Sequence, residues 1–157
     1  MSSIWQYLTL GLDRETFGID IEYVHEILDY REVSALPQAP EFLIGMIDVR
    51  SQSYPVIDLR TKLGLPRVPA TPATRIILLN IPMEGRSMRV GFVADRVFEV
   101  TELDGNELES APEVGGRWRS NYIAGIGRKG DAFVVVFDLP ELMSSESTAL
   151  LAPARAA

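Results

Sequence analysis

Cysteine is absent from the sequence, and histidine occurs once, at His25. Without cysteine there are no disulfides, no thiolate catalysis and no cysteine-ligated zinc, which suits a reducing compartment. A lone histidine does not make a zinc site, since zinc takes three or four ligands from His, Cys or carboxylate. Long apolar runs are also missing: no stretch reaches the roughly 18 residues of a membrane helix. The opening MSSIWQYLTLGLDRE has no basic start followed by an apolar run. These absences read as a cytoplasmic protein without membrane insertion. Positive charge is in deficit, with 15 Lys and Arg against 22 Asp and Glu and a net charge of -7. A general attraction to nucleic acid or anionic lipid is therefore not expected, and the partners should be proteins.

Helical signal is thin as well. LRTKLGLP (59–66) and LPELMSSE (139–146) each allow a turn or two, and VPATPAT (68–74) is a proline-rich connector. What the chain does have is strand signal, in ten short segments: YLTLGL (7–12), TFGIDI (16–21), HEILDY (25–30), IGMIDVR (44–50), YPVIDLR (54–60), RIILLNI (75–81), SMRVGFVAD (87–95), VFEVTEL (97–103), YIAGIGR (122–128) and AFVVVFDL (132–139). β-Branched and aromatic residues fill them, and turn formers such as PMEG, LDGN and RKGD separate most of them. With 46% hydrophobic residues the chain can build a core, and an all-β protein is predicted.

The segments repeat. FGIDIEYVHEI (17–27) aligns with VGFVADRVFEV (90–100), matching Gly18 with Gly91, Val24 with Val97 and Glu26 with Glu99. APE recurs at 39–41 and 111–113, FLIGM (42–46) aligns with YIAGI (122–126), and VIDL (56–59) with VFDL (136–139). The order is the same each time. Two units of about five strands follow, near 15–66 and 75–145, within one domain over 1–145 and with a flexible tail at 146–157. The N-terminal strand is left unassigned between them. Five short strands leave edges and a greasy face unless they close, so two small barrels sharing an apolar seam are predicted.

Several motifs have plain explanations. GIGRKG (125–130) fits the dinucleotide pattern, but that mechanism needs a helix to begin at the glycines, and here a strand follows, so a hairpin turn accounts for them. His25 has no G-x-S-x-G partner for a triad. ELDGNELE (102–109) lacks the ligand spacing of a calcium loop and reads as a turn. Asp58 and Asp138 stand where a carboxylate caps the following helical turn. Arg60 is expected to be solvated at such a helix start.

Glu26 and Arg50 interrupt apolar segments of one unit, and Arg50 aligns with Gly130, so it has no counterpart in the other unit. The two read either as a surface ion pair worth about 0–1 kcal/mol or as an arginine anchored at a binding surface. Val24, Ile27, Val97 and Val100 are either core residues or the apolar floor beside it.

FGIDIEYVHEI, LPQAPEFLIGMIDVR, YPVIDLRTKLGL, VGFVADRVFEV, YIAGIGRKGD and VVVFDLPELM, in this order from about Trp5 to Met143, together resemble the CheW family. The resemblance implies two packed five-stranded SH3-like barrels and a non-enzymatic adaptor without catalytic, metal or cofactor residues. It implies coupling of chemoreceptor (methyl-accepting protein) cytoplasmic tips to the regulatory domain of a CheA-type histidine kinase, in receptor arrays or in rings with other CheW-like proteins. It also implies that Glu26 and Arg50 lie at the receptor-binding groove with Val24 and Ile27 beside them, and Val97 and Val100 are counted with these as its apolar floor. One place departs from the family. Where it usually reads Asn-Leu-Arg-Gly, this chain has Asp48, Val49, Arg50 and Ser51, so serine replaces a residue free to take positive φ. A strained or altered turn is expected, at a cost of about 1 kcal/mol, and with it an alternative role as the adaptor of a dedicated non-chemotaxis pathway, such as surface sensing or second-messenger control. Two other classes are weaker: an enzyme on a double barrel would lack a nucleophile–base pair, and an oligonucleotide-binding barrel is opposed by the acidic balance.

Overall fold

The computed structural model describes residues 5–109 and 122–143. The second APE (111–113), the end of LPELMSSE and the proposed tail lie outside them. Eleven strands are present among the described residues: β1 (Gln6–Leu12), β2 (Glu15–Asp20), β3 (Val24–Asp29), β4 (Leu43–Val49), β5 (Gln52–Asp58), β6 (Arg75–Met83), β7 (Arg86–Ala94), β8 (Arg96–Glu102), β9 (Asp104–Glu109), β10 (Ile123–Lys129) and β11 (Ala132–Phe137). Two short helices, α1 (Leu59–Lys62) and α2 (Leu139–Met143), follow β5 and β11. One sheet has the order β3-β6-β7-β5-β4, the other β8-β1-β2-β11-β10-β9.

The internal repeat is visible as a shared register. Gly91 sits between Val56 of β5 and Leu78 of β6, while its match Gly18 sits between Val136 of β11 and Thr9 of β1. Glu26 pairs with Leu78 as Glu99 pairs with Thr9, and each strand bulges at the preceding residue, His25 or Phe98. A bulge adds local twist, which helps a short sheet curl. The sheets curl closed in the same way. Beyond β3, Ser34 exchanges two backbone hydrogen bonds with Met46 of β4, at 3.0 and 2.9 Å. Beyond β8, the chain turns at Leu103 into β9, which pairs with β10. The architecture is all-β, two SH3-like barrels. Sheet membership cuts across the sequence units. One barrel takes β3–β7 from a continuous stretch, and the other combines β8–β11 with the N-terminal β1 and β2.

β9 corrects one expectation, because ELDGNELE is a strand for most of its length rather than a turn. Its side-chain pattern carries little strand signal; its place is fixed by β10. A Cβ on Gly125 would come within 2.6 Å of Leu108 Cβ, and one on Gly127 within 2.5 Å of Leu103 Cδ1, so the two leucines fill the space those glycines leave.

Both barrels face a common core. Leu8, Leu10, Leu12 and Ile19 from one and Ile77, Leu79, Ile81, Val90 and Phe92 from the other are buried together with Leu59 of α1 and Leu139, Leu142 and Met143 of α2. Strand alternation explains this: on β6 the odd residues face the neighbouring barrel, while Ile76 and Leu78 join Val56, Tyr54 and Ile47 inside their own. The helices are seeded as anticipated, with Asp58 accepting the Arg60 N–H at 3.1 Å and Asp138 the Glu141 N–H at 3.0 Å.

Arg60 overturns the expectation of a solvated residue, for its side chain is only 9% exposed. Its Nε donates to Asp95 Oδ1 at 3.0 Å, its Nη2 to Asp95 Oδ2 at 3.1 Å and Asp13 Oδ1 at 3.0 Å, and its Nη1 to the Pro66 carbonyl at 3.0 Å. The reason lies in α1. Leu59 is anchored in the shared core, so the first helical turn sits between the barrels and its next side chain meets the β1–β2 hairpin and the β7–β8 junction. Arg60 therefore clamps one barrel to the other.

Candidate functional site

The β4–β5 hairpin is the shortest kind of connection, with Val49 opposite Gln52 and only Arg50 and Ser51 between them. Both take positive φ, 49° and 69°. This is the geometry whose twist matches a hairpin, and it favours Asn and Gly over either residue present. The turn anticipated as strained or altered thus keeps its left-handed form and bears the strain. Its effect is to hold the Arg50 side chain out at the tip, 70% exposed.

Glu26 meets it from β3. The bulge at His25 resets the alternation, leaving the Glu26 side chain 25% exposed beside the hairpin. Arg50 Nη1 donates to Glu26 Oε1 at 2.5 Å and Nη2 to Oε2 at 2.8 Å, a two-pronged pair. The hydrogen bond from Arg50 holds the Glu26 carboxyl below its usual range, and the same bond raises the guanidinium. Both groups are charged across the physiological range. Their charges stay at the surface, so the pair adds little to folding and instead fixes a planar cation at a defined position.

The apolar candidates divide. Val24 and Ile27 share β3 with Glu26, whereas Val97 and Val100 occupy the matching places on β8 of the other barrel. Val24 and Val97 are half-buried against the shared core, one from each side. Ile27 and Val100 stand at its rims, 39% and 46% exposed. The structure therefore joins Glu26 directly to Arg50 and sets the four apolar residues as two equivalent pairs.

His25 points outward at the bulge, and GIGRKG is the β10–β11 hairpin, with Gly130 at φ 62° in its turn. Among the described residues no group of three or more His, Asp or Glu is placed to hold a metal ion. Among the described residues no helix is long and apolar enough to cross a membrane. Sequence reasoning missed a groove lined by His25, Val49, Arg50, Gln52, Tyr54, Asn80, Ser87 and Arg89. Its signal was available in the repeat, where Gln52 aligns with Ala132 and Arg89 with Thr16.

A profile of the CheW-like domain matches residues 6–147. The chain is 34% identical over 146 residues to the chemotaxis protein CheW of Klebsiella aerogenes, covering 93% of this chain and 86% of that one. It is 28% identical over 140 residues to the chemotaxis protein CheW of Bacillus subtilis, covering 89% and 87%. The crystal structure of the scaffolding protein TtCheW from Thermoanaerobacter tengcongensis superposes with a TM-score of 0.78 at 28% identity, covering 92% of this chain and 90% of that one.

Proposed function

This chain belongs to the CheW family of chemotaxis scaffold proteins, and from that premise we propose that it couples chemoreceptor cytoplasmic tips to a CheA-type histidine kinase within receptor arrays at the cytoplasmic face of the membrane. It works by contact geometry and has no chemistry of its own. A receptor movement changes which arrangement of receptor, adaptor and kinase has the better contacts, and a difference of about 1–3 kcal/mol between two arrangements is enough to bias a kinase. Each contact can be weak because the array is multivalent.

The observation that carries the assignment of the site is the Arg50–Glu26 pair: a guanidinium 70% exposed, locked by two hydrogen bonds, on a turn that tolerates strain to present it. A pair that served folding alone would not need that turn. Ile27 and Val24 flank it on β3, and Val97 and Val100 extend the apolar surface on the other barrel. Arg50→Glu should leave the fold and melting temperature close to the parent and abolish pull-down of the receptor tip, with loss of receptor control over kinase activity. Undiminished pull-down of both receptor tip and kinase domain would remove Arg50 from the site. Combining Glu26→Arg with Arg50→Glu restores the ion pair in reverse; full recovery of binding would mark the pair as structural.

A further inference from the structure

The duplication supplies an internal control for every surface feature, because each place on one barrel has a match on the other. At the hairpin end of the β3–β7 barrel, the groove of His25, Arg50, Gln52, Tyr54, Asn80 and Arg89 is open. The register matches these residues with Phe98, Gly130, Ala132, Val134, Gly11 and Thr16 of the other barrel. There the place matching Asn80 is covered. Arg96 lies across Gly11, where an added Cβ would come within 2.8 Å of the guanidinium carbon, and stacks over the Phe98 ring at 5.5 Å. The fold does not require the opening, nor any of the polar groups around it.

Charge gives the groove a sign. Residues 24–94 carry eight Arg and Lys against seven Asp and Glu, while the rest of the chain carries seven against fifteen. No lining residue is acidic. Arg89 donates through Nη1 to Gln52 Oε1, a neutral acceptor that leaves its charge uncompensated. Glu26 offsets Arg50 from the flank, and Asp48 is turned to Ser53, whose hydroxyl donates to it at 2.6 Å. An acidic ligand is repelled by most of this protein and accepted here. The exposed amides of Gln52 and Asn80 and the Ser87 hydroxyl can pair with peptide groups, and the two guanidinium groups come from separate hairpins. These features suit an extended chain more than a point anion.

We propose that this groove docks an extended, carboxylate-bearing segment of a protein partner, held by Arg89 and Arg50 and by the amides between them. The proposal rests on the docking reading above only through Arg50; Arg89 and Gln52 belong to the groove alone. The test is a titration of the isotope-labelled protein with a hexaglutamate peptide, with hexaglutamine and inorganic phosphate as parallel probes, read by amide shifts. Saturable shifts at His25, Gln52, Asn80 and Arg89 with hexaglutamate, absent with hexaglutamine and roughly fivefold weaker in affinity for Arg89→Ala, are expected. Shifts with phosphate at equal or lower concentration would assign an anion site instead and overturn the proposal, as would shifts scattered over the surface or none at millimolar peptide. Receptor-tip pull-down with Arg89→Ala separates the two readings: the peptide titration decides the groove, whether or not the tip binds the parent protein.

Discussion

Two arginines that look alike in Ile-Asp-x-Arg contexts do opposite things, and the difference is set by the residue that follows or precedes each. Arg50 sits in a two-residue turn where Ser51 takes φ 69° at a cost glycine would not carry. Ser51→Gly should therefore raise stability by about 0.5–1 kcal/mol, or roughly 1–4 °C in a chain of this size, measured by calorimetry; an unchanged or lower melting temperature would mean that the turn is unstrained. Arg60 follows the core anchor Leu59 and is drawn between the barrels, a consequence no local pattern announces, which is why its burial was not legible while the exposure of Arg50 was. Its partner Asp95 is pushed up by burial, but the hydrogen bonds from Arg60 and from the Asp13 amide outweigh this and hold it below the ordinary carboxylate value. The unfolded chain then binds that proton more tightly, so the clamp stabilises above the unfolded value of about 3.9 and the contribution is lost as pH falls through the lower native value. Arg60→Met should cost roughly 3 kcal/mol at neutral pH, leaving a carboxylate half-enclosed without its cation. Urea unfolding at pH 7 and pH 3 should show the deficit shrinking at acid pH; an equal deficit at both would assign the loss to packing alone.

At the scale of elements, ten strands were legible because their alternating β-branched and aromatic residues stand between clear turn formers, and the two hairpins closed by Arg50–Ser51 and Gly130 fell where the turn chemistry put them. β9 was not legible, since a strand of Asp, Gly, Asn and Glu with a single Leu is held by its partner's glycines rather than by its own propensity. Barrel closure depends on the same kind of relation at a single point. Gly45 lies where a Cβ would sit 2.0 Å from the Ser34 carbonyl oxygen, the group that accepts from the Met46 N–H. Gly45→Ala should accordingly unseat that bridge and destabilise the protein by about 3 kcal/mol or more, a size reserved for breaks of this kind. Faster amide exchange at Met46 than at β6 would locate the damage, and a variant with parent-like exchange there would show that the segment around Ser34 has room to move.

For the whole molecule, the sequence repeat foretold two barrels and an apolar seam, yet the way the chain is shared between them came only from pairing across the sheets. β1 and β2 belong with β8–β11, so the shortest path through the fold crosses from one barrel to the other twice. The seam is the larger core: it holds Phe92, Leu10, Ile77 and Leu59 at no measurable exposure, along with the α2 residues Leu139 and Leu142. Neither barrel can keep its outer face dry alone, and Arg60 ties the hairpin of one to the helix of the other. Unfolding should be a single transition with calorimetric and van't Hoff enthalpies in agreement, as for one cooperative unit. Leu139→Ala, which removes a side chain contributed from the end of the chain, should cost about 2–5 kcal/mol and lower amide protection in β6 and β7 as much as in β10 and β11. That equality is what a scaffold needs if contacts on one barrel are to be felt on the other, because strain entering at β3 or the Arg50 hairpin then has no soft joint in which to dissipate. Loss of protection confined to β10 and β11, or two resolved transitions, would instead describe a pair of independently folding modules and would leave coupling between their surfaces without a physical carrier.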